Sequence, residues 1–245
     1  MNRYYILDNI RAAALLSMIL YHAAWDAVHL FGANWPWFTS MAGFIWQQSI
    51  CCTFIALSGF CFAIAKKPLK RALTVLIGGA AVSAASFFVL PDTPIYFGIL
   101  TFLGSSMLIM KLLLPLLEKT APETGLAASV ALFASLRTVA DKSALFGFVK
   151  LPDFLYKDLF TAYFGFPPDS FATADYFPLL PWLSLFAVGF FLCRAIEKRK
   201  MLHALRGRRI PLLSRMGRLS FEIYLLHQPA IYFVLLLMSR AALVL

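Results

Sequence analysis

Long apolar stretches separated by short polar connections constrain this chain more than any other feature of its sequence. An α-helix needs about 20 such residues to cross the hydrocarbon core of a bilayer. Only 14% of the 245 residues are charged, against about 25% in an average soluble domain. We therefore predict an all-α polytopic integral membrane bundle of about seven transmembrane helices, forming a single domain over residues 1–245. The predicted spans are residues 9–31, 41–65, 71–90, 95–117, 124–140, 177–196 and 212–240.

Basic residues are distributed unevenly among the predicted loops. The loops after the second and sixth spans are rich in lysine and arginine, and the loop after the fourth holds Lys119, whereas those after the first and third contain none. The positive-inside rule then predicts a cytoplasmic amino terminus and a carboxyl terminus outside. The long connection, residues 141–176, mixes acids with aromatics and is predicted to form an ordered, outward-facing cap. The net charge of +10 is explained by loops that face anionic lipid, so no nucleic acid is expected as a partner.

Four ionisable side chains lie in or beside the first predicted span, at a depth where lipid makes each of them costly. At about 100° per residue, Arg11 and His22 share one helix face, about 16 Å apart along the axis. Asp8 is three residues before Arg11 and Asp26 is four residues after His22, so each pair can touch. The helix therefore carries a polar stripe, with Arg11 towards the cytoplasm and His22 towards the outside.

The chemistry of this stripe allows two interpretations. In the first, His22 takes a proton from a hydroxyl or amine as a general base, Asp26 orients its ring, and Arg11 holds a phosphate. His22, Asp26 and Arg11 are therefore candidate catalytic residues. In the second, Asp8 and Arg11 form an interfacial ion pair while His22 hydrogen-bonds a neighbouring helix.

Two further spans carry polar residues at membrane depth. Gln47 and Gln48 in the second span either donate hydrogen bonds to a substrate carbonyl or join helices, and the sequence does not choose between these roles. In the last span, His227 and Gln228 precede Pro229. The proline predicts an interrupted helix whose polar residues line a cavity, or else a purely structural kink.

Small residues in the spans suggest packing rather than chemistry. Ser58-Gly59 near the middle of the second span is typical of closely packed helices. The cysteines lie inside apolar spans without the spacing of zinc ligands, so no metal site is expected. They are Cys51, Cys52, Cys61 and Cys193.

The order of these motifs resembles a bacterial membrane family related to the catalytic domain of heparan-alpha-glucosaminide N-acetyltransferase. Leu7-Asp8-x-x-Arg11 followed by His22 and Asp26 is similar to the opening of that family. The ten residues between Arg11 and His22 also resemble the signature of the wider family-3 membrane acyltransferases. The similarity continues through segments 54–59, 96–100, 175–182, 217–220 and 224–229.

The resemblance implies an acyl-coenzyme A donor as co-substrate, with no permanently bound cofactor. It implies that His22 is catalytic and that Arg11 is a donor-site or structural partner. With Gln47 and Gln48, the predicted substrate- or cofactor-binding residues are Asp8, Tyr224, His227 and Gln228. Two positions depart from the family pattern, which usually has glycine at Ala12 and often histidine at Thr101.

Three functions follow as hypotheses. The first is a membrane-bound acyltransferase of the bacterial cytoplasmic membrane that moves an acyl group, expected to be acetyl, from coenzyme A to a hydroxyl or amine. Its expected partners are membrane lipid, the acyl-CoA donor, and a glycan or other envelope acceptor. The second is a small-molecule transporter whose path is lined by the polar stripe and the last helix. The third is a non-catalytic membrane scaffold.

Overall fold

The computed structural model describes residues 3–89 and 91–242, most of them helical. A small antiparallel hairpin, β1 (Ser143–Ala144) and β2 (Val149–Lys150), lies between the fifth and sixth helices. In chain order the α-helices are α1 (Tyr5–His29), α2 (Met41–Ala63), α3 (Pro68–Val89), α4 (Ile99–Leu117), α5 (Pro122–Ser135), α6 (Leu159–Phe164), α7 (Leu179–Lys198), α8 (Pro211–Arg218) and α9 (Ser220–Ala242).

Five helices within the described ranges, α2, α3, α4, α7 and α9, are long and apolar enough to cross a membrane. Several such helices indicate an integral membrane protein. The predicted count of about seven is not confirmed. The first predicted span, α1, has 25 residues but carries charged side chains, and the fifth, α5, has 14 residues. Residue 90, the end of the third predicted span, lies outside the described residues.

The last predicted span, residues 212–240, is two helices instead of one. Helix α8 ends at Arg218 and α9 begins at Ser220, so the chain is interrupted at Leu219. Pro229 lies inside α9, and the predicted interruption beside His227 is therefore wrong. A proline removes one backbone donor, which a long membrane helix tolerates when its other backbone hydrogen bonds are kept.

The chain divides into two units, Met1–Phe54 with Met201–Leu245, and Ile55–Lys200. In the first unit, α1 packs against α8 and α9. Buried Leu15 and Met18 of α1 form its core with Ile50 of α2. The boundary falls inside the continuous helix α2, and the prediction of one domain over residues 1–245 stays a prediction.

Glycines bring α2 and α7 into backbone contact in the second unit. A Cβ atom on Gly59 would lie 1.9 Å from the carbonyl oxygen of Phe186, and one on Gly189 would lie 1.8 Å from that of Ala56. Only a residue without a side chain fits at either place. The predicted packing role of Ser58-Gly59 is confirmed at Gly59.

Helix α5 runs antiparallel to α7 in the second unit. Near the start of α5, Glu123 pairs with Lys198 at the end of α7 at 2.9 Å. Near the end of α5, the ring of Phe133 lies 5.7 Å from that of Trp182 at the start of α7. Although α5 is short, it therefore follows most of the length of α7.

Both ends of α4 are capped by residues distant in sequence. At its start, the Asp175 carboxylate accepts a hydrogen bond of 3.0 Å from the backbone N–H of Ile99. At its end, the Arg194 guanidinium donates to the carbonyl oxygens of Leu117 (2.6 Å) and Glu118 (3.0 Å). Such contacts satisfy backbone groups that a helix leaves unpaired at its termini.

The predicted cap segment is folded. Lys142 bridges Asp153 (3.1 Å) and Asp169 (2.9 Å), which ties distant parts of the segment together. The hydrogen bonds to both acids raise the pKa of Lys142. The hairpin presents Phe146 and Phe148 to the surroundings. That this cap faces outward stays a prediction.

Candidate functional site

The polar side chains of α1 form two separate groups in the first unit. Asp8 and Arg11 contact α8, whereas His22 and Asp26 lie beside α9. The division follows from helix geometry, because eleven residues carry the chain about 16 Å along the axis. The sequence predicted one stripe, and the tertiary structure gives its two ends different neighbours.

The first group is an ion cluster around Asp8. One carboxylate oxygen accepts from Arg11 Nη1 at 3.2 Å, and the other accepts from Arg3 Nε. Arg11 also donates to the carbonyl oxygen of Gly217 at 3.3 Å. Gly217 has no room for a side chain, since its Cβ would lie 2.5 Å from the carbonyl oxygen of Asp8. The predicted contact between Asp8 and Arg11 is confirmed, and it supports the structural interpretation of this pair.

The second group is centred on two histidines. The rings of His22 and His227 lie 4.9 Å apart, and the Tyr224 ring lies 5.3 Å from His227. His227 Nδ1 is hydrogen-bonded to the carbonyl oxygen of Tyr224. A carbonyl oxygen only accepts, so Nδ1 carries the proton and, in the neutral ring, Nε2 holds the lone pair. His227 is 9% exposed, and its buried Nε2 has no hydrogen-bond partner among the described residues.

Asp26 is fully buried, at 0% exposure, beside this histidine pair. Its Oδ1 accepts a hydrogen bond of 2.8 Å from Nε2 of Gln228 on α9. The structure therefore places Asp26 with Gln228 instead of in the predicted position orienting the ring of His22. Within residues 3–89 and 91–242, Oδ2 of Asp26 and Oε1 of Gln228 have no hydrogen-bond partner.

Beside the histidine pair, three buried polar atoms thus lack a hydrogen-bond partner in the described part of the chain: Asp26 Oδ2, His227 Nε2 and Gln228 Oε1. Buried polar groups in folded proteins are nearly always hydrogen-bonded, so these atoms are candidates to bind a water or a ligand. All three accept hydrogen bonds when His227 is neutral and Asp26 ionised. A hydroxyl, amine or water is the kind of donor that would satisfy them.

An open groove of about 510 Å³ runs between α1 and α9 next to the histidine pair, and His227 forms part of its wall. Its volume falls within the range of about 300–1,000 Å³ typical of small-molecule sites. Apart from His227 and Glu222, the lining residues are hydrocarbon, among them Ile19, Ala23, Leu226, Ala230 and Val234.

The remaining predicted residues lie elsewhere. Gln48 Nε2 donates a long hydrogen bond of 3.5 Å to Gln47 Oε1 in α2. Thr101, in the second unit, packs against α3, where a Cβ on Gly79 would lie 2.8 Å from its Oγ1. Among the residues that the structure describes, no group of three or more His, Cys, Asp or Glu side chains could hold a metal ion.

Arg3 and Gly217, which both contact the Asp8–Arg11 pair, were not predicted from the sequence. Arg3 lies five residues before Asp8, outside the spacing of three or four at which helix neighbours meet. The part played by Gly217 depends on the docking of α8 against α1, which no local pattern records. The only available signal was its place in the motif Gly217-Arg218-Leu219-Ser220.

Fold and site together define a helical membrane protein in which a histidine pair, with His227 buried, lies beside an acid–amide pair that is only partly hydrogen-bonded. The chain belongs to the family described as heparan-alpha-glucosaminide N-acetyltransferase, catalytic, whose model matches residues 3–229. The match includes the ion cluster, the histidine pair and Gln228, and the predicted family is confirmed. No curated protein and no solved structure matches the chain.

Proposed function

We propose that this chain is a membrane-bound acyltransferase. It moves an acyl group, acetyl in the simplest case, from a coenzyme A thioester to a hydroxyl or amine of a glycan or other envelope acceptor. The family match supports the reaction class. The observation that carries the proposal is the contact of His22 with His227 at 4.9 Å between ring centroids, with the buried Nε2 of His227 unpartnered among the described residues, because acyl transfer needs a base next to the acceptor.

In the proposed reaction, His22 takes the proton of the acceptor hydroxyl as the acceptor oxygen attacks the thioester carbonyl. The tetrahedral intermediate then expels the coenzyme A thiolate. The thiolate receives the proton from the imidazolium. The products are free coenzyme A and the acyl ester, and His22 returns to its neutral form. The unpartnered Nε2 of His227 can accept a hydrogen bond from a second hydroxyl or N–H of the same acceptor molecule, and the Asp26–Gln228 pair stabilises the positive charge that develops nearby.

The donor carries several negative charges and is proposed to approach from the cytoplasm. The basic segment that precedes α8 would attract it, together with the ion cluster of Asp8, Arg11 and Arg3, in which two arginines face one carboxylate. Arg206, Arg208 and Arg209 of this segment are exposed. Arg194 is not available for this role, because it caps α4.

We propose seven crossings in the bacterial cytoplasmic membrane, with the amino terminus in the cytoplasm and the carboxyl terminus outside. Two observations support α1 and α5 as the crossings beyond the five apolar helices. Helix α1 has 25 residues, about 37 Å at 1.5 Å per residue. Helix α5 lies antiparallel to α7 from Lys198 to Trp182. The basic loops that follow α2 and α7 would then both be cytoplasmic.

The role of His22 is tested with purified protein in nanodiscs, labelled acetyl-CoA, and glucosamine or methyl glucoside as probe acceptors. His22→Ala should reduce transfer by about 10²–10⁴-fold, the usual contribution of a general base. His29→Ala is the matched control, because this exposed histidine lies on the same helix, stacked on Trp25. Transfer by His22→Ala at the wild-type rate would overturn the assignment. Acceptor flux across vesicles without any acyl donor would favour a transporter.

A further inference from the structure

The groove between α1 and α9 has a wall of hydrocarbon next to a site of unsatisfied polar atoms. Its lining residues belong to the first unit, and only His227 and Glu222 among them carry a polar head. A sugar ring placed in such a groove would leave its hydroxyls without partners, at a cost of about 1–3 kcal/mol for each. A hydrocarbon chain has no such cost.

The groove also opens where a lipid chain can enter. Helix α9 is apolar enough to cross a membrane. Leu226 and Val234, which line the groove, are 67% and 53% exposed. Large apolar side chains exposed on a membrane-spanning helix face the hydrocarbon of the bilayer. A molecule dissolved in the bilayer can therefore reach the groove sideways, without passing through water.

The charges beside the groove favour the acceptor over the donor as its occupant. Coenzyme A is a polyanion, and the lining includes the acidic Glu222 and no lysine or arginine. His227 belongs to both the groove and the polar site. Its ring lines the groove, and its buried Nε2, which has no partner among the described residues, belongs to the polar site. A ligand with a hydrocarbon chain and a hydroxyl at its end satisfies both surfaces at once.

We infer that the acceptor is an amphiphile, a hydroxyl-bearing molecule with an alkyl or isoprenoid chain, whose chain lies in the α1–α9 groove. This inference rests on the proposed acyltransferase function and names its acceptor class. The chain holds the acceptor in the plane of the membrane and brings its hydroxyl next to His22 and His227. The hydrocarbon thus supplies binding energy at a distance from the reacting oxygen.

The test compares methyl, octyl and dodecyl glucoside as acceptors, with labelled acetyl-CoA and protein in nanodiscs of one fixed lipid. Ala230→Phe fills the groove, whereas Ala13→Phe makes the same change at an exposed position of α1 that does not line it. The longer glucosides partition into the bilayer to the same extent for every variant, so partitioning does not contribute to differences in the rate ratio between variants. The dodecyl-to-methyl rate ratio should be at least about tenfold higher in wild type and Ala13→Phe than in Ala230→Phe.

Binding is measured separately by native mass spectrometry of the dodecyl glucoside complex, which needs no turnover. Complexes in wild type and Ala13→Phe that are depleted in Ala230→Phe support the inference. If no glucoside is acetylated while this binding pattern holds, the acyltransferase proposal fails and the amphiphile site stands. Equal dodecyl-to-methyl rate ratios in all three proteins overturn the inference and leave the acyltransferase intact. A preference for palmitoyl-CoA over acetyl-CoA, measured with methyl glucoside as acceptor and seen in wild type but not in Ala230→Phe, would also overturn the inference. The groove would then hold the acyl chain of the donor.

Discussion

Replacing Gln228 with leucine removes a hydrogen bond from a carboxyl group that has no access to solvent. Asp26 is 0% exposed, and in the described part of the chain its Oδ1 is bound by Gln228 Nε2 at 2.8 Å while its Oδ2 has no partner. The substitution places an apolar side chain of similar size at this position of α9. Its main effect is therefore to leave both Asp26 oxygens buried and unpaired.

The expected loss of unfolding free energy is about 1–3 kcal/mol, the usual cost of a buried polar group left without a partner. Asp26→Leu alone should cost a similar amount, because it strands the Gln228 amide. The double variant removes both partners together, and replacing both members of a hydrogen-bonded pair by apolar groups is often nearly neutral. The two changes should therefore couple by about 1–3 kcal/mol.

The assay is reversible unfolding of the four proteins in one detergent, followed by far-ultraviolet circular dichroism along a denaturant titration. The double variant should be more stable than the sum of the two single losses predicts. Additive losses, or a Gln228→Leu protein as stable as wild type, would refute the idea that this hydrogen bond joins α1 to α9. Leu226→Ala, an exposed change on the same helix, serves as the control and should move the midpoint little.

Three more predictions concern the second unit. Gly189→Ala should cost about 1–3 kcal/mol by overpacking, because its Cβ would lie 1.8 Å from the Ala56 carbonyl oxygen; an unchanged melting temperature in detergent would contradict this. Arg194→Met should lower stability by about 1–3 kcal/mol by uncapping α4, with Arg194→Lys intermediate, as measured by thermal unfolding. Burial raises the pKa of Asp175 from 3.8 to about 6. The carboxyl group of Asp175 therefore binds its proton more tightly in the folded state than in the unfolded state. The free energy of unfolding of wild type, relative to that of Asp175→Asn, should fall as pH rises from 4 to 7. A rise over this range would contradict the raised pKa.

The membrane-bundle architecture could be predicted from the sequence because hydropathy is a local property, summed along one helix at a time. The contact of Asp8 with Arg11 was predictable for the same reason, since residues three apart on a helix are neighbours. The count of about seven spans is not confirmed, because α1 carries charged side chains and α5 has only 14 residues. Helix α5 ends at Ser135, five residues before the end of the predicted span, and the last span is broken at Leu219 instead of at Pro229.

The candidate residues were predicted better than their partners. His22, Asp26, His227 and Gln228 were all singled out, because polar side chains at membrane depth are costly. Their pairing was not predictable: Asp26 was expected to orient His22, and it binds Gln228. Gln47 and Gln48, chosen on the same grounds, hydrogen-bond each other in α2.

By itself, the sequence determined the class of protein, the family and the positions of the buried polar residues, since each depends on residue type and spacing along one chain segment. Only the tertiary structure decided that α9 supplies the partner of Asp26 across 202 residues of chain, and that a hydrocarbon groove lies beside the histidine pair. The physical reason is that helix geometry fixes contacts within a turn or two, whereas contacts between helices depend on how their side chains pack.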